Sequence, residues 1–250
     1  MRRAATTAAL LALAGCGPSE RPAEPTGQPA APPPQSAPPF APAAADDRPL
    51  TPASAADAGA DWTRTVRPAD RDRLARLSDA WREALADARR GAAAEVAALG
   101  ELADPEAGLP DARPAPGVYR CRTIKLGSPT PFEPGVSRLA FVAYPYFRCR
   151  IELTPGGDMT LAKQTGSQRA TGEFYPERDA SDAQTDRLIF LGAQAWGSDE
   201  ESAPGYGQDA ERDQIGVLER IGPDRYRLAL PWPRQESTLD LIELVPAGRG

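Results

Sequence analysis

The sequence predicts a mainly β protein of the α+β class, in which an antiparallel meander of about eight strands closes into an up-and-down barrel or a sandwich. A helical segment precedes this meander. Three observations predict the fold: an apolar stripe with helical spacing before residue 110, apolar and polar residues that alternate after Gly117, and Gly/Pro turn signals that separate short segments with no helix between them.

Residues 1–15 have the pattern of a bacterial export signal. A short positive start is followed by an apolar run at 4–14, whereas a membrane-spanning helix needs about 20 residues. The run ends in LAGC at 13–16, which resembles the lipobox of bacterial lipoproteins, where the signal is removed before the cysteine and the thiol is acylated. The resemblance implies that Cys16 is the lipidated N-terminus of the mature protein. The alternative is a soluble secreted protein cut at a nearby Ala-x-Ala site.

The lipid on Cys16 determines the expected location. Each buried acyl methylene contributes about 0.8 kcal/mol, so a triacylated end holds firmly to a bilayer. Gly17 follows the cysteine, in place of the Asp that in many bacteria signals retention at the inner membrane. We therefore expect a protein of the cell envelope that is anchored to the outer membrane and faces the periplasm.

The segment 16–60 is rich in Pro and Ala and has no periodic apolar face, so we predict a disordered tether. A stiff polyproline chain extends by about 3.1 Å per residue, which gives this segment a reach on the order of 100 Å. Residues 61–250 are long enough for one ordinary domain. We divide this domain into a helical segment, 61–110, and a β-rich part, 111–250.

The helical segment contains DRDRLARLSDAWREALADARR at 70–90, in which Leu74, Leu77, Trp81, Leu85 and Ala88 recur at steps of three and four. Pro68 suits the first turn, and Gly91 is expected to break or bend the helix. A second stripe then continues to Asp104-Pro105. Period-two alternation predicts strands at 118–126, 146–153, 159–164, 169–175, 187–196, 214–221, 225–230 and 238–245.

Composition excludes several classes of function. The sequence has no His, which removes Ser-His-Asp and Cys-His nucleophile systems, most zinc sites and imidazole acid-base chemistry. The net charge of −6 gives no indication of a nucleic-acid partner. No sequence motif calls for a cofactor or a metal ion, and no catalytic motif is recognisable. We therefore expect a protein that is not an enzyme.

Two cysteines remain after Cys16, and an exported domain meets an oxidising compartment. We predict a structural disulfide between Cys121 and Cys149, which loop entropy makes worth about 3 to 4 kcal/mol. The alternatives are two reduced core cysteines or a redox-active pair, although no Cys-x-x-Cys motif is present.

Each cysteine lies between two arginines, which makes Arg120, Arg122, Arg148 and Arg150 candidate anion-binding residues. Alternation along a strand points the arginines outward if the cysteines point inward. If the cysteines lie directly opposite each other on antiparallel strands, Arg120 faces Arg150. Arg122 then faces Arg148. Like charges in these positions repel, so we expect either compensating acids or a bound anion.

Two interpretations of these arginines remain open. They form a site for the phosphate or carboxylate groups of an envelope ligand or a protein partner, or they are neutralised by Glu and Asp from a neighbouring strand or from the N-terminal helix, such as Glu83 or Asp87. Substituting the arginines would distinguish these interpretations.

A family resemblance is carried by the strings GVYRCRTIKLG (117–127), VAYPYFRCRIE (142–152), KQTGSQRATGEFYP (163–176), DQIGVLERIG (213–222), YRLALPWP (226–233) and ESTLDLIELVP (236–246). In this order they resemble domain of unknown function 4893, a family of bacterial exported proteins. The resemblance covers essentially all of 61–247 and implies no activity, substrate or catalytic residues. By strand count, the sheet is also similar to the up-and-down barrels of lipocalins and of periplasmic inhibitors, a likeness of fold that does not carry function.

The leading functional prediction is a non-catalytic binding module for an anionic or small ligand or a protein partner. One alternative is a structural or accessory envelope lipoprotein. Another is a carboxylate-dependent hydrolase that uses acids such as Glu173, Glu219 and Glu243, which would be favoured if two buried acids with raised pKa faced one cleft. A hollow barrel would indicate a carrier, and a filled one would direct attention to the outer face and the loops.

Overall fold

The computed structural model describes residues 61–130, 139–179, 181, 183–197 and 199–248. The predicted signal at 1–15, the predicted tether at 16–60 and the predicted lipidation site Cys16 lie outside these residues. The helical segment consists of α1 (Trp62–Thr65), α2 (Pro68–Ala75), α3 (Leu77–Ala97) and a 3-10 turn (Gly100–Ala103).

The sheet has nine strands in the order β2-β1-β3-β4-β5-β6-β7-β8-β9, all antiparallel. The strands are β1 (Gly117–Leu126), β2 (Phe141–Ala143), β3 (Phe147–Leu153), β4 (Met159–Lys163), β5 (Gln168–Arg178), β6 (Gln184–Trp196), β7 (Asp213–Gly222), β8 (Arg225–Pro231) and β9 (Leu239–Pro246). Because β1 also pairs with β9, eight of the strands close into a barrel, and β2 is an additional strand on β1. The predicted closed meander is confirmed.

Each of the eight predicted strands is present, and the short β2 is the element that alternation did not indicate. The predicted helix at 70–90 is divided in two. Arg76, with φ −100° and ψ 21°, separates α2 from α3. The expected bend near Gly91 falls at Ala92, which has non-helical angles.

The interior of the barrel is filled by side chains. Phe174 and Phe190 pack at its centre, with ring centroids 5.4 Å apart, in one cluster with the disulfide. Gly172 and Gly192 make room for these rings: an added Cβ at Gly192 would lie 2.5 Å from Phe190, and one at Gly172 would lie 2.8 Å from it. A filled interior leaves no lipocalin-like chamber among the described residues.

The helices cover one part of the outer wall. Leu85 and Val96 of α3 pack with Leu126 and Leu241 on the outer face of β1 and β9. On β8, the guanidinium of Arg227 lies 4.7 Å from the centre of the Trp81 ring. We call this region, the outer face of β7, β8, β9 and the second half of β1, the helix-covered wall.

α2 docks on β7 through buried charges. The Arg73 guanidinium donates to the Asp70 carboxylate at 2.5 Å and to the Asp213 carbonyl at 2.9 Å. The Tyr206 hydroxyl, from the β6–β7 loop, donates to Asp70 at 2.6 Å. Since these groups are desolvated together, their main effect is to fix the helix on the barrel.

Candidate functional site

The predicted disulfide is present and joins β1 to β3 on the inner face of the barrel. The Cα atoms of Cys121 and Cys149 are 5.8 Å apart. The cysteines are diagonal neighbours, because Tyr119 lies opposite Cys149 and Cys121 lies opposite Phe147. The assumption that the two cysteines lie directly opposite each other was therefore wrong by two residues.

This register changes which arginines face each other. Arg120 lies opposite Arg148, and not opposite Arg150 as expected. Arg122 lies opposite Glu243 of β9, beyond the paired part of β3, so it does not face Arg148. We call the outward-facing residues Arg120, Arg122, Arg148 and Arg150 the arginine face.

Glu243 neutralises Arg122. Its Oε2 accepts from Arg122 Nε at 2.5 Å and from the Tyr146 hydroxyl at 2.8 Å, and its Oε1 accepts from Arg225 Nε at 2.5 Å. Burial alone would raise the pKa of Glu243, but the hydrogen bonds from these three residues lower it below its ordinary value. Glu243 therefore stays ionised as the centre of a structural network.

The acids expected to neutralise the arginine face have other partners. Glu83 lies 3.9 Å from Arg82, and Asp87 accepts from Arg90 at 2.6 Å and from the Ser128 amide at 3.0 Å. The expectation that acids of a neighbouring strand or of the helical segment neutralise the arginines is therefore met in part: Glu243 of β9 pairs with Arg122, whereas Glu83 and Asp87, the two acids named as examples, are not seen to pair with the arginine face in the described part of the chain.

Arg150 also has a partner, whereas Arg120 and Arg148 do not. Arg150 Nε donates to Glu152 two residues along the same strand at 2.5 Å. Arg120 and Arg148 are exposed, and neither has a salt bridge among the described residues. The Arg120 guanidinium lies 5.0 Å from the centre of the Tyr146 ring, a cation–π contact that leaves its charge uncompensated.

The chemistry of this pair suits an anion. A guanidinium presents planar, paired N–H donors that match the oxygens of a carboxylate or a phosphate. Arg120 and Arg148 repel each other across β1 and β3, and an anion placed between them would relieve that repulsion. The arginine face is thus reduced from four candidate residues to two that are available for a ligand.

A second polar cluster, which the sequence analysis did not identify, lies inside one end of the barrel. It contains Lys125, Lys163, Gln194, Gln214 and Asp240, and we call it the lysine end. Of the 29 basic residues, only these two are lysines, and they are 5% and 6% exposed. Alternation offered a signal, since Lys125 shares the face of Cys121 and Lys163 that of Leu161.

The two lysines have different surroundings. Lys125 Nζ lies 2.9 Å from Glu236 and 3.9 Å from Asp240. Lys163 Nζ donates to the Gln168 carbonyl at 2.5 Å and lies 4.4 Å from the centre of the Phe147 ring, with no carboxylate in salt-bridge contact among the described residues. Lys163 is therefore a buried amine without a counter-charge.

Burial perturbs the titration of this cluster. It lowers the pKa of Lys163 to about 8, with further lowering by the positive charges of Arg169 and Lys125. It raises the pKa of Asp240 to about 6, although Lys125 and the hydroxyl of Ser237 partly oppose this shift. Both shifts favour the neutral form of the buried group.

A cavity of about 10 Å³ adjoins Lys125, Gln214 and Asp240. This is close to the smallest space that holds one water molecule, which is about 10 to 15 Å³. The side-chain oxygen of Gln214 is buried there and has no hydrogen-bond partner among the described residues. An acceptor of this kind is costly unless a donor reaches it.

The acids considered for hydrolysis are engaged elsewhere. The carboxylates of Glu219 and Glu173 accept from Arg227 at 2.6 Å and from Tyr175 at 2.6 Å, and Glu243 is held by its three partners. Asp213 and Asp240 both have a raised pKa, caused mainly by burial, and both border the small cavity. Alternation along β7 nevertheless directs the Asp213 side chain outward, where its carboxylate lies 3.2 Å from Arg67, whereas the Asp240 side chain points into the barrel.

In the part of the chain that the structure describes, no group of three or more His, Cys, Asp or Glu residues is arranged to hold a metal ion. Nor does any described helix combine the length and the apolar character needed to cross a membrane.

Comparison with known proteins identifies one relationship. No curated protein and no solved structure matches this chain. A family model described as Domain of unknown function (DUF4893) matches residues 62–244, from α1 into β9. The match covers the helical segment and the barrel together, and the chain therefore belongs to this family, as its resemblance in sequence predicted.

Proposed function

We propose that the protein is a lipid-anchored component of the bacterial cell envelope that binds an anionic ligand without transforming it. The observation that supports binding is the pair Arg120 and Arg148, which face each other on adjacent strands and have no salt bridge among the described residues. The ligand contributes a carboxylate or phosphate group that lies between the two guanidinium groups.

Neighbouring residues argue against a purely structural role for this pair. Arg122 and Arg150, on the same face, each have a carboxylate at 2.5 Å. The fold therefore supplies acidic partners to two of the four arginines of this face and, among the residues described, not to Arg120 and Arg148. Directly opposed like charges destabilise a strand pair. The uncompensated pair is therefore better explained by a ligand than by the stability of the barrel.

The proposed location rests on the LAGC sequence that ends in Cys16. Mass spectrometry of the protein purified from the envelope tests it. We expect a mature N-terminus at Cys16 that carries acyl chains, and we expect a Cys16→Ala variant to be released from the membrane fraction. An N-terminal peptide that retains residues 1–15 would contradict the proposal.

The binding test compares wild-type protein with an Arg120→Gln/Arg148→Gln variant, using polygalacturonate and inorganic polyphosphate as probes and neutral dextran as the reference. A hydrogen bond to a charged group contributes about 1.5 to 3 kcal/mol, and about 1.4 kcal/mol is a tenfold change in affinity. We expect the double variant to bind at least one polyanion more than tenfold more weakly in isothermal titration calorimetry.

A matched control separates the site from net charge. Arg82 and Arg89 are exposed on α3, so an Arg82→Gln/Arg89→Gln variant removes the same charge from another surface. We expect this variant to change affinity by less than twofold. Equal losses in the two double variants, or binding of dextran as strong as that of the polyanions, would disprove the proposed site.

A further inference from the structure

The loop that joins β8 to β9 crosses the lysine end of the barrel. Trp232 and Glu236 in this loop have positive φ angles of 49° and 66°, although neither is a glycine. Such left-handed conformations are unfavourable for residues with a Cβ and persist where surrounding contacts impose them. The loop is thus held over the barrel end in a conformation that its own residues do not favour.

Glu236 makes the contact that closes this end. Its side chain is 58% exposed, yet its Oε2 reaches the buried Nζ of Lys125 at 2.9 Å. A hydrogen bond from the Gln168 side chain also contributes to the low pKa of Glu236, after the stronger effect of Lys125. The ion pair thus fixes the β8–β9 loop to Lys125 of β1.

The charges beneath Glu236 remain positive without it. Inside the barrel, Asp240 is the buried acid that the described residues place beside Lys125, with its nearest oxygen 3.9 Å from Nζ. Lys163 has no salt bridge among the described residues. A carboxylate at the position of Glu236 is therefore the charge complement that this end requires.

An unsatisfied polar group also lies beside Lys125 at the lysine end. Gln214 is 8% exposed, borders the cavity beside Lys125, and its side-chain oxygen has no partner in the described part of the chain. The cavity of about 10 Å³, which the neighbouring loop residues Pro233, Arg234 and Gln235 also line, holds at most about one water molecule in the structure described. Outward movement of this one exposed side chain would expose Lys125 to an external group.

We propose that the lysine end is a binding site for a small-molecule carboxylate, and that Glu236 occupies the position of that ligand in the structure described. The incoming carboxylate pairs with Lys125, and Glu236 turns toward solvent. The site is separate from the arginine face, since it lies inside the barrel.

Selective acylation of lysine amines tests this proposal on the full chain. Treatment with an acetyl N-hydroxysuccinimide ester, followed by cleavage after arginine, separates Lys125 and Lys163 into the peptides 123–138 and 151–169, which mass spectrometry quantifies. We expect a Glu236→Gln variant to acetylate at Lys125 at least fivefold faster than wild-type protein. Sodium acetate should then slow the labelling of Lys125 in this variant, and sodium chloride at equal ionic strength should not.

Two controls make the result decisive. Asp79→Asn removes an exposed carboxylate paired with Arg82 at 2.7 Å on α3, and we expect it to leave the labelling of Lys125 unchanged. Glu236→Gly suits the positive φ of this position and should accelerate labelling as Glu236→Gln does, which covers the case in which one variant folds poorly. Unchanged labelling in both Glu236 variants, or equal protection by acetate and chloride, would overturn the proposal.

Discussion

The helix-covered wall and the arginine face use the same residue type in opposite ways. Arg227, under α3, is fully buried, pairs with Glu219 at 2.6 Å and donates to the carbonyls of Glu101 and Leu102. Arg148, on the arginine face, is exposed and has no salt bridge among the described residues. The difference shows that an arginine of this barrel is either held in a buried hydrogen-bonded network, as Arg227 is under the helices, or left exposed with no salt bridge among the described residues, as Arg148 is.

The two walls are also stabilised differently. Buried ion pairs and helix packing hold the covered wall, whereas the disulfide between β1 and β3 lies behind the arginine face. On the arginine face, the disulfide has the stabilising role that helix packing has on the covered wall. The arginine face can therefore remain exposed to solvent without loss of the strand pairing beneath it.

The largest effect is expected from Arg227→Met. This change leaves Glu219 buried without its partner and removes the donor to the carbonyls after α3, and breaking a buried ion pair typically destabilises by about 3 to 5 kcal/mol. Urea denaturation of the full chain measures it. Adding Glu219→Gln should recover part of the loss, and a loss below about 1 kcal/mol in the single variant would contradict a structural role for Arg227.

Removal of the disulfide by Cys121→Ala/Cys149→Ala should destabilise the opposite wall. The cysteines are 28 residues apart, for which loop entropy gives about 3.5 kcal/mol. Hydrogen exchange should become faster in β3 and β4 before it does in β8 and β9. Uniform acceleration over all strands would show that the two walls are not stabilised separately.

The stability of the folded protein should depend on pH through Asp240, which lies in the barrel interior that both walls share. Its pKa is about 6 in the folded protein against an ordinary 3.8, so the folded state retains the proton over this interval. Wild-type protein should therefore lose stability relative to Asp240→Asn as the pH rises from about 4 to 6, by about 3 kcal/mol in total.

Lys163 should affect stability at higher pH. Its folded pKa of about 8 lies below the ordinary 10.5, so its contribution to the free energy of unfolding becomes more favourable as the pH rises between these two values.

Thermal unfolding of wild-type protein and of Asp240→Asn across pH 4 to 9 tests the prediction for Asp240. A constant difference in stability from pH 4 to 7 would show that Asp240 does not titrate in that window.

The smallest effect is expected from Arg148→Glu. This change replaces a like-charged pair with an ion pair to Arg120, which should increase the free energy of unfolding by about 0.2 to 1 kcal/mol. Arg150→Glu should do the reverse, because it places a negative charge beside Glu152. A destabilised Arg148→Glu variant would show that Arg148 has a structural role after all.

Much of the fold could be predicted from sequence, because strands with one buried face alternate with a period of two. The short β2 was missed since three residues do not establish a period, and the break at Arg76 was missed since the apolar stripe continues through it. Register could not be predicted, because a shift of two residues along a strand leaves every side chain on the same face; here the two cysteines are diagonal neighbours.

The candidate sites were predicted only in part. Alternation correctly directed Arg120 and Arg148 outward, but the acid that neutralises Arg122 comes from β9, which is far away in sequence. The same alternation directs Lys125 and Lys163 inward. Their convergence depends on barrel closure, which no local pattern contains.

The pairing of β1 with β9 constrains how the chain folds. Tyr119 meets Pro246 and Leu126 meets Leu239, so the first and last strands of the barrel depend on each other across most of the domain. Contacts this distant in sequence slow folding, because the intervening chain must be ordered before they form. During synthesis β9 emerges after the other strands of the barrel, and the barrel therefore closes only after β9 has been released.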